Sequence, residues 1–120
     1  TDGTHDQNRV FEIGCGSGNL TALLQMHFEI EQIFLNDLYP EVMQHFQDQS
    51  VLNTPQWCIG DAEQIDFPKQ LNVIASSSAF QWMHDLDQVF RKSQQALNTG
   101  AFLCFSTFGT QNLFAKSLPT

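Results

Sequence analysis

Positive charge is what this 120-residue chain has least of. Lys and Arg together number 5 against 13 Asp and Glu, a formal net charge of −8. Nucleic-acid phosphates are gripped by Lys and Arg, so the balance argues against a nucleic-acid partner. The acidic surplus needs no more than solubility as its reason. Cysteine is also scarce. Cys15, Cys58 and Cys104 show no CxxC spacing and lie in or beside apolar runs, which reads as reduced, buried thiols rather than a disulfide or zinc site. The histidines His5, His27, His45 and His84 are scattered without ligand spacing, so no metal is expected. Long apolar runs are absent: none approaches the ~20 residues of a membrane span. The polar start, TDGTHDQNR, holds no signal-peptide core. A cytoplasmic protein without a membrane partner is the expectation.

What the chain does have is enough apolar material for one compact core, at 42% hydrophobic residues. Five short runs rich in Val, Ile, Leu and Phe read as buried strands: Arg9–Ile13, Gln32–Asn36, Gln56–Ile59, Asn72–Ser76 and Ala101–Ser106. Helical spacing lies between them. Leu20, Leu23, Leu24 and Phe28 share one face of a helix beginning near Gly18. Val42, Met43 and Phe46 mark a second, with Pro40 suited to its first turn. Leu86, Val89, Phe90, Ser93 and Leu97 mark a third, with Asp85 as N-cap and Gly100 just past its end. The link from Gly60 to Leu71 has room for a single helical turn. Alternating strands and helices imply right-handed crossovers, hence an α/β, doubly wound parallel sheet covered on both faces. This alternation, together with a family resemblance carried by the residues behind the strands, implies the order 3-2-1-4-5. Ligands of such sheets bind at the carboxyl ends of the strands.

The residues behind each strand therefore carry the functional information. Behind the first stands E-x-G-x-G-x-G: Glu12, then Gly14, Gly16 and Gly18. Bare backbone there permits a tight turn and close ligand approach, and helix-start N–H groups are expected to face the ligand. A dinucleotide fingerprint beginning at Gly14 calls for glycine at position 19, where Asn19 stands. A carboxylate at position 12 suits a ligand with an ammonium group better than one with pyrophosphate. Asp37 ends the second strand about 20 residues beyond the loop, where an acidic residue accepts from ribose hydroxyls. Asp61, behind the third strand, is able to accept from an adenine amino group; an ordinary loop-turn aspartate is the competing reading.

At these residues the chain resembles the class I S-adenosylmethionine-dependent methyltransferases, through EIGCGSG, NDLYPEVM, GDAEQIDFP and SSSAFQWMHD. The last of these, with FSTFG behind the fifth strand, is similar to the malonyl-acyl-carrier-protein O-methyltransferases of biotin synthesis. Ser77 stands where that family has Asn, and Tyr39 where many relatives have Ser. The resemblance implies S-adenosylmethionine as cofactor, with S-adenosylhomocysteine as its product. It places Glu12, Gly14, Cys15, Gly16 and Gly18 at the methionine portion, Asp37 at the ribose, Leu38 at the adenine face, and Asp61 with Ala62 at the adenine edge. Ser76 would close the pocket beside the sulfonium, and Gln81 and Trp82 would meet the acceptor or merely pack at a helix entry. The acceptor implied is a carboxylate, small or bound to acyl carrier protein; methyltransferases of the trans-aconitate type look similar over the same motifs. A carboxylate is ionised near pH 7, so no acid–base residue is nominated; His84 is the nearest candidate. Class I methyltransferases usually have seven strands, the last two an antiparallel hairpin. Residues 1–120 thus read as a cofactor-binding core ending after the fifth strand, its edge at Ala101–Ser106 uncovered. Two rivals remain open: a nicotinamide-dependent oxidoreductase, and a fragment that binds S-adenosylmethionine without turnover.

Overall fold

The computed structural model of the chain describes residues 8–16, 18–47, 55–77, 85–106 and 114–117. Its elements run β1 (Asn8–Ile13), α1 (Asn19–His27), β2 (Ile30–Asp37), α2 (Val42–Gln47), β3 (Gln56–Ile59), β4 (Leu71–Ser77), α3 (Leu86–Ala96), β5 (Leu97–Ser106) and β6 (Phe114–Ser117). They form one sheet of order β3-β2-β1-β4-β5-β6. The first five strands pair in parallel, in the order expected. Order reverses between β1, which is followed outward by β2 and β3, and β4, which leads to β5. The switch point thus falls at the exits of β1 and β4.

Continuous apolar strands make sense once both sheet faces are covered. Strand alternation sends Val10, Ile33, Leu35, Val73 and Ala75 to one side, where they pack with Leu20 and Leu24 of α1 and with Phe46 of α2. Phe11, Phe34, Ile74 and their neighbours go to the other side, against Phe67, Val89 and Ala96. Phe11 and Phe67 meet edge to face at 5.0 Å between centroids. Full burial of side chains such as Phe11, Leu35 and Ile74 contributes roughly 1.5–3 kcal/mol each.

Helix boundaries follow their local chemistry. Gly18 caps α1 at φ 91°. Asp85 caps α3 by accepting from the Gln88 N–H, as its position implies. Pro40 stands just before α2, which begins at Val42, rather than within its first turn; its carbonyl accepts from the Met43 N–H at 3.0 Å and so leads the chain into the helix. In the link to β4, Asp61 O accepts from both Gln64 and Ile65 N–H, closing the single turn expected there.

Two expectations at the C-terminal side need correction. The third helix ends at Ala96, and Leu97 already pairs with Leu71, so Gly100 lies within β5 rather than beyond a helix end. The ladder explains why residues 98–101 read as a break: Leu71 faces Leu97 and Val73 faces Phe102, so two steps on β4 span five on β5. Regular pairing resumes at Phe102, near the expected start at Ala101. Secondly, the chain does not stop at five strands. Phe114–Ser117 forms β6, antiparallel to β5, from Phe105↔Phe114 to Phe102↔Ser117. The edge at Ala101–Ser106 is therefore covered. Among the described residues no helix is long and apolar enough to cross a membrane.

Candidate functional site

Glu12, the last residue but one of β1, lies opposite Leu35 of β2 and Ala75 of β4 and is fully buried. Its alternation with Val10 turns it toward α1, where the Thr21 hydroxyl donates to Oε1. Oε2 is buried without a partner. Burial pushes the Glu12 carboxyl up to about 8; the Thr21 bond opposes the rise and the Asp37 charge adds to it. The neighbouring Cys15 thiol is also driven up, first by burial and then by the charges of Glu12 and Asp37. The exits of β1 and β2 thus hold two carboxyls close together, of which that of Glu12 is mostly protonated at neutral pH. The described cations that the structure ties down lie elsewhere. Arg9, at the opposite end of β1, sits over the Phe34 ring and donates to Lys69 O. Lys92 donates to Ala62 O and Ile65 O and lies over Phe67.

The glycine loop turns tightly, with Gly14, Gly16 and Gly18 all at positive φ. At Gly16 a Cβ would be strained by φ +50° although it would meet nothing within 4 Å, so open space lies over the loop there. The described N–H groups of the loop itself, ahead of the helix-start donors, are engaged within the protein. Gly14 N donates to Asn36 Oδ1 at 3.2 Å, Cys15 N to Asn36 O at 2.8 Å, Gly16 N to Asp37 Oδ2 at 2.9 Å and Gly18 N to Cys15 O at 3.0 Å. A pyrophosphate cradle needs such donors free. The loop's own described donors are therefore not free for one.

Asp37, half-buried at the β2 exit, accepts from Gly16 N and, through Oδ1, from Tyr39 N. Two of a carboxylate's roughly four acceptor positions are thus filled and two remain. Leu38 and Tyr39 follow as exposed large side chains, 53% and 62% accessible. Asp61 is exposed at the β3 exit, its Oδ1 accepting from Glu63 N at 2.9 Å, so it does make the ordinary loop turn while keeping its second oxygen outward-available. Gly60 N donates to Asp37 O, which sets the Asp61 turn beside the β2 exit.

Glu12, the loop and Asp37 therefore come together, with Asp61 joined to them through Gly60. Three other expected residues have less direct roles. The Cys15 side chain is buried in the core on the α1 side, leaving its backbone for the loop. Ala62 is buried in the opposite core, its carbonyl bonded to Lys92. Ser76 is fully buried beside Ile13, its Oγ without a partner. Gln81, Trp82 and His84 lie outside the described residues. Sequence reasoning missed Asn36, Thr21, Glu63 and Lys92. Thr21 sits on the buried face between Leu20 and Leu24, Asn36 ends an apolar run, and Glu63 Oε1 accepts from Asp85 N at 2.8 Å. A polar residue in a buried pattern was the available signal for the first two. Among the described residues no cluster of His, Cys, Asp or Glu is arranged to hold a metal.

Solved structures share this arrangement of strands. An S-adenosylmethionine-dependent methyltransferase from Mesorhizobium loti superposes with a TM-score of 0.74 at 22% identity, over 86% of this chain and 48% of that one. A putative methyltransferase complexed with the Trm112 activator of Haloferax volcanii gives 0.73 at 20% identity, over 84% and 45%. In sequence, the malonyl-acyl-carrier-protein O-methyltransferase of Acinetobacter baylyi is 51% identical over 105 residues, 88% of this chain and 40% of that protein. Its counterpart in Bacteroides fragilis is 40% identical over 110 residues, 91% of this chain and 22% of that protein. The chain thus spans well under half the length of these curated relatives. A family described as a methyltransferase domain matches residues 11–105, from within β1 to the last turn of the ladder on β5. Because that span covers well over half of the chain, the chain belongs to the methyltransferase domain family.

Proposed function

We propose that this chain is the S-adenosylmethionine-binding core of an O-methyltransferase that acts on the free carboxyl of a malonyl thioester carried by acyl carrier protein. The observation that carries the cofactor half is the pair of carboxyls at the β1 and β2 exits. Glu12 Oε2 is buried without a partner, Asp37 stands beside the loop, and loop N–H groups that would suit an anion are already bonded. Such a site favours a ligand with a positive end and a diol. It disfavours the dinucleotide of the oxidoreductase reading.

The residues present fit the cofactor. Glu12 receives the ammonium of its methionine portion, directly or through one bridging water. The open side of Gly16 admits the chain that links methionine to ribose. Asp37 takes the ribose hydroxyls with its two remaining acceptor positions. Leu38 offers its exposed apolar face to adenine, and Asp61 accepts from the adenine amino group. When bound, S-adenosylmethionine supplies an electrophilic methyl carbon on a sulfonium. The protein's part is to fix the ligand's orientation through these contacts and to exclude water, which is worth several kcal/mol of barrier in reactions of this kind. An acceptor carboxylate is ionised at neutral pH, so no side chain has to remove a proton. Ser76, buried at the β4 exit, borders the sulfonium side.

The acceptor half rests on the names of the relatives and on the SSSAFQWMHD and FSTFG stretches. Supplying the whole parent protein with labelled cofactor and, separately, malonyl carrier protein, free malonate and trans-aconitate tests it. Fastest transfer to malonyl carrier protein is expected. Faster methylation of either free acid would replace this acceptor with a small carboxylic acid.

A further inference from the structure

We propose that Asn36 is a positioning residue that holds the glycine loop after β1 and the Asp61 turn after β3 in one fixed relation, so that both ends of a nucleoside ligand are received together. The inference rests on the cofactor reading above and adds to it a residue that touches no ligand.

Asn36 is 2% exposed and sits at the end of the central strand of the three. Both of its amide protons and its amide oxygen are engaged. Nδ2 donates to Cys58 O at 2.8 Å and to Gly60 O at 3.0 Å, both on the β3 side. Oδ1 accepts from Gly14 N at 3.2 Å, on the β1 side, and the backbone carbonyl accepts from Cys15 N. One flat group with two donors and an acceptor thus joins two loops that belong to different crossovers. The opposite amide orientation would set N–H against N–H and oxygen against two carbonyls, so the network fixes the assignment. Asp37 repeats the tie next door: Gly16 N donates to its carboxylate and Gly60 N to its carbonyl. The two loops therefore cannot shift independently while Asn36 and Asp37 both hold.

No other side chain of this size supplies the same set. Ionised Asp has no donor and would place charge against Cys58 O and Gly60 O. Protonated Asp regains one donor and keeps an acceptor. Leu has neither. A buried carboxyl facing two carbonyls favours its protonated form. That difference gives the test a pH signature that a merely structural residue lacks.

The experiment compares the wild-type chain with Asn36→Asp and Asn36→Leu, each verified as folded by circular dichroism. S-Adenosylhomocysteine affinity is titrated at pH 6 and pH 8, and amide exchange is followed at Gly16, Gly60 and Val73 without ligand. Asn36→Asp is expected to bind at least tenfold more weakly than wild type at pH 8, with the gap narrowing at pH 6; Asn36→Leu is expected to be weak at both. Exchange at Gly16 and Gly60 should quicken in Asn36→Asp at pH 8 while Val73 stays unchanged. If Asn36→Asp does not fold, Asn36→Ser, which keeps one hydroxyl donor, is read the same way, without the pH arm. Quickened exchange in a variant beside a wild type that fails to bind would overturn the cofactor reading and keep the positioning role. Wild-type affinity in the variants, or a loss equal at both pH values with exchange unaltered, would overturn the positioning role itself.

Discussion

Glu12→Gln separates the two jobs of the buried carboxyl, because glutamine keeps its shape and an acceptor for Thr21 but never ionises. With the folded carboxyl at about 8, most molecules hold the proton at pH 7. A ligand whose ammonium needs the ionised form must then expel it. The apparent affinity of the wild type should tighten by about 50-fold between pH 6 and pH 8, with roughly 0.9 of a proton released per ligand at pH 7. Titration calorimetry in two buffers of different ionisation enthalpy reads that proton directly. Glu12→Gln should bind more weakly at pH 8, with no proton released and no such slope. Stability should move the other way. Below the ordinary carboxyl value of 4.5 both folded and unfolded chains hold the proton, so nothing is lost. As pH rises from there toward 8 the unfolded chain ionises and the folded chain does not, which weakens the fold by an amount on the order of several kcal/mol. Glu12→Gln escapes that loss. It should therefore melt higher than wild type at pH 8, with the difference shrinking toward pH 5. A variant that melts lower at pH 8, together with wild-type affinity flat from pH 6 to 8, would refute the reasoning.

Three further substitutions address the surrounding structure. Asp37→Ala removes the ribose acceptor and the partner of Gly16 N, and should weaken S-adenosylhomocysteine binding by about 1.5–3 kcal/mol in calorimetry. Gly60→Ala puts a Cβ 2.7 Å from Ile65 Cγ2 at φ +141°, and urea unfolding should show a loss of about 1–3 kcal/mol. Lys92→Met keeps an apolar stem against Phe67 but leaves Ala62 O and Ile65 O without their donor; a loss of about 1–3 kcal/mol is expected in the same assay.

β1, β2 and β4 were legible because their centres are buried on both faces and so are written as unbroken apolar runs, whereas β3 is only half-buried. The order of the strands came from the strand–helix alternation together with the family resemblance. Where pairing partners decide the structure, the sequence was silent. LNTGA reads as a helix end with its glycine stop, yet Leu97 finds Leu71 across the sheet, and residues 98–101, which face a single residue of β4, are accommodated as an irregularity in the ladder. The four residues of β6 offer too little alternation to register, and only β5 beside them makes them a strand. In the site, Glu12 and Asp37 were visible as carboxyls at strand ends beside glycines. That the loop's described donors would turn inward to Asn36 and Asp37 was not visible, because it depends on which way those side chains turn at the end of β2, which strand order does not settle. Asn36 left a trace, as a polar residue closing an apolar run, but its three partners are 22 to 24 residues away in the chain.

The cofactor assignment is tested most directly by titrating this chain at pH 8 with S-adenosylhomocysteine and, in a matched experiment, with NAD. Saturable one-to-one binding of S-adenosylhomocysteine and no saturable signal from NAD is the predicted result. Binding of NAD without S-adenosylhomocysteine would contradict the reading of Glu12 and the engaged glycine loop as a site for a positively charged ligand.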